Sequence, residues 1–200
     1  MPKNTSAIRR SSRCGRNSTA AKPSCSCIPG CHSLRRLESP APLVDYPFDT
    51  TRTAVQLVLN GILDRYPRVR IILAHAGGFV PFASHRFAEL AHIFRPDAAK
   101  PADILESFQR FYFDTALSSS PAALPSLKAF AENGHILFGT DFPFAPADVA
   151  AYFTTKLDAY ENLTAEEQTA ISHGNAWTLF PRLAPPLHTT PSEGCHLSEP

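Results

Sequence analysis

Two residues of this 200-residue chain stand at the ends of apolar runs, where a side chain leaves the core and becomes available for chemistry. His75 closes IILAH and is followed by Ala76-Gly77-Gly78, and Asp141 closes HILFGTD and precedes Phe142-Pro143. A neutral imidazole can bind a metal ion or move a proton near neutral pH. A carboxylate at the exit of an apolar strand cannot be buried unpaired, so it needs a cationic partner, and a divalent metal would serve. The glycine pair would let backbone or a ligand come close to the imidazole. Each residue alone has an ordinary reading, a hydrogen-bonded histidine or a carboxylate capping a helix. The pair argues more strongly for a site.

Such residues must be positioned by strands that end on one face. VRIILA at 69–74 is short, apolar and β-branched between Pro67 and Gly77-Gly78, which predicts a strand buried on both faces. FYFDTAL at 111–117 and HILFGTD at 135–141 predict two more. Between them lie helical patterns at 81–94, 101–110 and 121–132, the last closed by Asn133-Gly134. Upstream, Asp49 could cap a helix from Thr50 to Tyr66, ended by Pro67. Downstream come a helix over 146–160, one opened by Thr164 with Glu167 in capping-box spacing, and one near Asn175. Strands separated by helices predict parallel βαβ units, in either a doubly wound sheet or a barrel. Catalytic groups of both folds sit beyond the carboxyl ends of the strands.

Composition bounds the rest. An apolar fraction of 44% supports a real core, and no run reaches the roughly 18 apolar residues of a membrane span. The net charge of +1 hides a basic segment: residues 1–40 carry eight Lys/Arg against one acid, Glu38. Residues 1–41 and 184–200 lack periodicity and are expected to be disordered tails around a folded part at 42–183. Neither a nucleic-acid nor a membrane partner is expected. Four of the five cysteines lie in the basic tail, which excludes a disulfide framework for the core and fits a reducing cytoplasm. Cys25, Cys27, Cys31 and His32 lack the second half of a zinc module.

ILAHAGG with Pro81 behind it, FGTDFP, and HGNAWTLF occur in an order and at intervals that resemble the amidohydrolase-related superfamily in its decarboxylase branch. That branch includes aminocarboxymuconate-semialdehyde decarboxylase and the resorcylate and methylsalicylate decarboxylases. The resemblance covers residues 45–182. It implies a (β/α)8 TIM-type barrel, of which this chain holds the C-terminal half, with one divalent metal, usually zinc. It makes His75 the sixth-strand histidine acting close to the metal, and Asp141 the eighth-strand aspartate, both metal ligand and proton carrier. It implies that Arg86 reaches a substrate carboxylate across a homodimer interface, and that Asn175 caps and docks the last helix.

The family also draws metal ligands from a first-strand His-x-His or Glu-x-His and from a fifth-strand histidine, and neither motif occurs here. A full barrel needs about 250 residues, so about half is expected, with uncovered edges that another chain would have to complete. The expected function is metal-dependent decarboxylation of a small aromatic or unsaturated carboxylic acid. The alternatives are metal-dependent hydrolysis of an ester, lactone or amide, and a non-catalytic fragment or partner of a full-length relative. Of this chain alone, inactivity is expected.

Overall fold

In the computed structural model of the protein, the described residues are 24–27, as backbone, together with 40–94 and 99–185. Four strands, β1 (Ser24–Cys27), β2 (Arg70–Leu73), β3 (Tyr112–Asp114) and β4 (Ile136–Leu137), form one sheet in that order, every pair parallel. Each crossover carries helix: α1 (Ala41–Leu59) and α2 (Ile62–Arg65), then α3 (Val80–Phe94) and α4 (Pro101–Gln109), then α5 (Ala123–Phe130). After β4 come α6 (Ala147–Asp158), α7 (Ala165–Thr169), a π-turn over Ala170–Gly174 and α8 (Asn175–Leu179). Strictly sequential strand order has no point of reversal, which a doubly wound sheet requires; it is the winding of a (β/α)8 barrel, and this is part of one.

The core lies on the helix side of the sheet. Ile71, Leu73, Phe111 and Phe113 pack with Ala54 of α1, Val80 and Ala88 of α3, Ile104 and Phe108 of α4 and Leu127 of α5. The buried residues of α3, Val80, Ser84, Ala88 and Ala91, recur at helical spacing and are small past the first turn, so neighbouring helices can approach closely. A second cluster, Leu124, Leu157 and Ile171, anchors the last helices. Asn175 Nδ2 donates to the Ile136 carbonyl at 2.8 Å, tying α8 to β4. Thr164 and Glu167 form the expected capping box. No helix among the described residues is long and apolar enough to cross a membrane.

Several elements differ from the sequence reading. Ser24–Cys27, inside the stretch expected to be disordered, adds β1 along β2. The free edge of a parallel sheet accepts any extended backbone, and small Ser and Cys side chains leave no alternation to read. Apart from residues 40–41 and 184–185, the rest of both expected tails, including Cys31 and His32, lies outside the described residues. Asp49 is not a cap: α1 begins at Ala41 with proline in its first turn, where a missing N–H costs nothing, and runs through Pro47. Asp49 pairs instead with Arg52 at 2.8 Å. β2 is buried on alternate residues, not on both faces: Ile71 and Leu73 face the core while Arg70 and Ile72 are half-buried.

β3 and β4 are shorter than their apolar runs because side chains and a distant carbonyl take over the ladder. The Ala116 N–H goes to the Asp114 carboxylate, the Gly139 N–H to Thr115 Oγ1 and the Phe138 N–H to the Ile171 carbonyl. Phe108 is fully buried at the centre of this packing whereas Phe82 is 85% exposed. Phe108→Ala should therefore lower the unfolding free energy by about 3–5 kcal/mol in urea titrations, while Phe82→Ala should change it by less than about 0.5 kcal/mol.

Candidate active site at the strand ends

Three consecutive strands deliver an ionisable residue to one rim: His75 two residues past β2, Asp114 at the end of β3, and Asp141 past β4. His75 and Asp141, expected here, are joined by Asp114, which the sequence reading placed inside a longer strand. The charges of both His75 and Asp141 act on the Asp114 carboxyl, so the three belong to one electrostatic cluster. The backbone of this rim is bent into the left-handed region at His75 (φ 57°), Ala76 (φ 54°), Leu117 (φ 51°) and Asp141 (φ 63°). Non-glycine residues seldom adopt that conformation, and such strain gathers at functional sites held by their surroundings.

The surroundings are specific. One oxygen of Asp114 accepts from the backbone N–H of His75 at 2.8 Å and of Ala116 at 3.1 Å. The Ala116 carbonyl lies 3.1 Å from His75 Nδ1. A carbonyl can only accept, so Nδ1 carries a proton, and in the neutral imidazole Nε2 then keeps the lone pair. From the other side, the Phe79 N–H donates to Thr51 Oγ1, which donates to the Pro47 carbonyl, each at 2.8 Å. The glycine pair has a definite reason in this packing. A Cβ at Gly77 would stand 2.7 Å from the Phe113 ring, and one at Gly78 would stand 2.3 Å from the Pro47 carbonyl oxygen. It is protein, rather than ligand, that the glycines admit.

Burial pushes the Asp114 carboxyl above its ordinary 3.8; the His75 and Ala116 amides pull it back down, as does the charge of His75, while Asp141 pushes it up. Asp141 is half-exposed and forms no ion pair among the described residues. Its oxygens suit a hard divalent cation, yet no group of three or more His, Cys, Asp or Glu side chains gathers among the described residues. Phe142 and Phe144, beside Asp141, are exposed. Arg86 lies exposed on α3. His135 is bound at the opposite end of the strands, where its Nδ1 meets the Gln109 and Phe111 carbonyls and its ring stacks on Tyr112.

A singly wound parallel sheet with an imidazole and carboxylates at its carboxyl rim defines a (β/α)8-barrel protein. The chain belongs to the amidohydrolase family, whose Amidohydro_2 model matches residues 28–182. Family membership was legible in ILAHAGG, FGTDFP and HGNAWTLF, although the match reaches further upstream than those motifs do. The 6-methylsalicylic acid decarboxylase of Penicillium expansum is 46% identical over 145 residues, covering 72% of this chain and 44% of that protein. The crystal structure of an amidohydrolase II superposes with a TM-score of 0.71 at 27% identity, over 80% of this chain and 52% of that one. A dihydroxybenzoic acid decarboxylase from Polaromonas, with bound manganese and the inhibitor 2-nitroresorcinol, gives 0.58 at 26% identity, over 75% and 48%. The chain thus spans less than half the length of the Penicillium protein.

Asp114 had only a weak signal in the sequence, a lone acid inside the apolar run FYFDTAL. Its raised carboxyl sets a testable sign. A group that binds its proton more tightly folded than unfolded contributes most below the unfolded value, and loses that contribution as pH rises through the folded one. Measured against Asp114→Asn by urea unfolding, the unmodified chain should lose stability progressively as pH rises above about 4. A gain over that range would contradict the assigned burial.

Proposed function

We propose that these residues are the C-terminal half of the active site of a metal-dependent decarboxylase acting on a small aromatic acid of the hydroxybenzoate kind. The observation that carries the reading is the rim itself: an imidazole held through Nδ1 and a carboxylate with no ion-pair partner among the described residues, on a chain 46% identical to a 6-methylsalicylic acid decarboxylase. Asp141 would hold a divalent ion, which supplies a template and Lewis acid for the substrate's oxygens. We propose zinc, with manganese, as bound in the Polaromonas relative, the alternative. In this reading the Asp141 carboxylate takes up the substrate's own carboxylic proton and delivers it to the ring carbon that bears the carboxylate. The carbon–carbon bond then breaks, its electrons restore the aromatic ring, and CO₂ leaves. His75 Nε2 assists by holding or moving a proton at the rim. Phe142 and Phe144 offer aromatic faces to a ring substrate.

Arg86, exposed on α3, is proposed to pair with the substrate carboxylate of a neighbouring protomer, which makes the working unit a homodimer in the cytoplasm. The 200 residues contain no His-x-His or Glu-x-His motif, so in this reading the chain needs the remaining ligands from a completed barrel and is inactive by itself.

Two assays test the proposal. CO₂ release from 6-methylsalicylate by the chain alone, with zinc or manganese added, should stay at background. Exchanging residues 45–182 into the matching half of the Penicillium relative should give a metal-loaded, active chimaera. There Asp141→Ala should cost at least about a hundredfold in kcat, and Arg86→Ala should raise KM about tenfold to a hundredfold. A folded, metal-loaded chimaera that releases CO₂ from no hydroxybenzoate would sink the assignment.

A further inference from the structure

We infer that Asp114 is the positioning residue of this site: its carboxylate, bridging the ends of two strands, selects the nitrogen of His75 that carries the proton. The argument begins with backbone strain. His75 and Ala76 are consecutive non-glycine residues in the left-handed region, at φ 57° and 54°. Each conformation is unfavourable for a residue with a Cβ and persists only where the surroundings over-determine it.

The three-residue stretch 114–116 supplies that determination twice. Through one carboxylate oxygen it takes the His75 N–H at 2.8 Å, fixing the strained backbone. Through the Ala116 carbonyl it takes His75 Nδ1 at 3.1 Å, fixing the ring. The same carboxylate oxygen takes the Ala116 N–H at 3.1 Å, so the residue whose carbonyl meets the ring is itself tied to Asp114 through its amide. Gly139, past β4, comes close enough that a Cβ there would stand 3.0 Å from Asp114 Cβ and 3.1 Å from its Cγ. β2, β3 and the segment after β4 therefore meet at this side chain.

The consequence is an imidazole whose Nε2 lone pair is committed before any substrate arrives, as the hydrogen bond on the other ring nitrogen dictates. A simple loop staple would hold the backbone whatever the tautomer of His75. A positioning residue must set it. The inference rests on the reading of His75 as the working base, but its test follows a proton and not turnover, so either can fail without the other.

The test is nitrogen-15 NMR on the 200-residue chain with labelled histidines, His75 being assigned by its loss in His75→Gln. Above the imidazole's own titration, the unmodified chain and Asp114→Asn, which keeps one acceptor oxygen, should both carry the proton on Nδ1. Asp114→Ala should move His75 largely to the Nε2-protonated form. A folded Asp114→Ala chain that keeps the Nδ1 proton overturns the inference, as does an Nε2 proton in the unmodified chain. Should Asp114→Ala fail to fold, amide exchange decides. Slow exchange at His75 and Ala116 in both the unmodified and Asp114→Asn chains supports the bridge, and fast exchange at His75 in either overturns it.

Discussion

A carboxylate removed from water needs donors, and Asp114 finds them in the main chain. Its oxygen collects one amide from the turn after β2 and one from the turn after its own strand. A parallel ladder would otherwise continue through those amides. By ending it, the side chain converts the tops of two strands into turns and sets the level at which His75 emerges. Burial opposes this arrangement, as the upward push on the Asp114 carboxyl records, and the two amides oppose the burial. The rim exists where those effects meet.

Around that bridge the packing admits little variation. The turn after β2 is held from the sheet by Asp114 and from α1 by Thr51 and the Pro47 carbonyl. Between the two holds, Gly77 lies under the Phe113 ring and Gly78 against the α1 backbone, with no space for a methyl group at either. Left-handed backbone at His75, Ala76, Leu117 and Asp141 is the strained product, confined, for non-glycine positions among the described residues, to the carboxyl ends of three successive strands. Strain so placed is what a site uses to present side chains in directions that a relaxed strand end would not give.

The rim is also one-sided. Helices cover the outer face of the sheet, whereas Arg70, Ile72 and Tyr112 remain half-buried on the other. In a closed barrel such residues meet layers from opposite strands. The carboxylate of Asp141, without an ion-pair partner among the described residues, stands at the rim of this open sheet. Membership in the amidohydrolase family and the match to little more than half of a larger relative agree with that openness.

Much of this was written into the sequence, because period and punctuation are local properties. The apolar runs before His75 and Asp141, the capping box at Thr164 and Glu167, and the order of helix and strand needed no tertiary contact to be read. Barrel winding and family followed from motifs quoted residue by residue. Asp114 did not, since a lone acid in an apolar strand looks like a tolerated interruption until the amides of His75 and Ala116 are seen around it. The start of α1 at Ala41 and the pairing of Ser24–Cys27 with β2 were likewise decided at a distance, by a sheet edge and a helix surface that no local window contains. Sequence marks residues that could do chemistry, whereas the folded chain decides which nitrogen of His75 meets a backbone acceptor. That choice depends on a carbonyl 41 positions away brought within 3.1 Å.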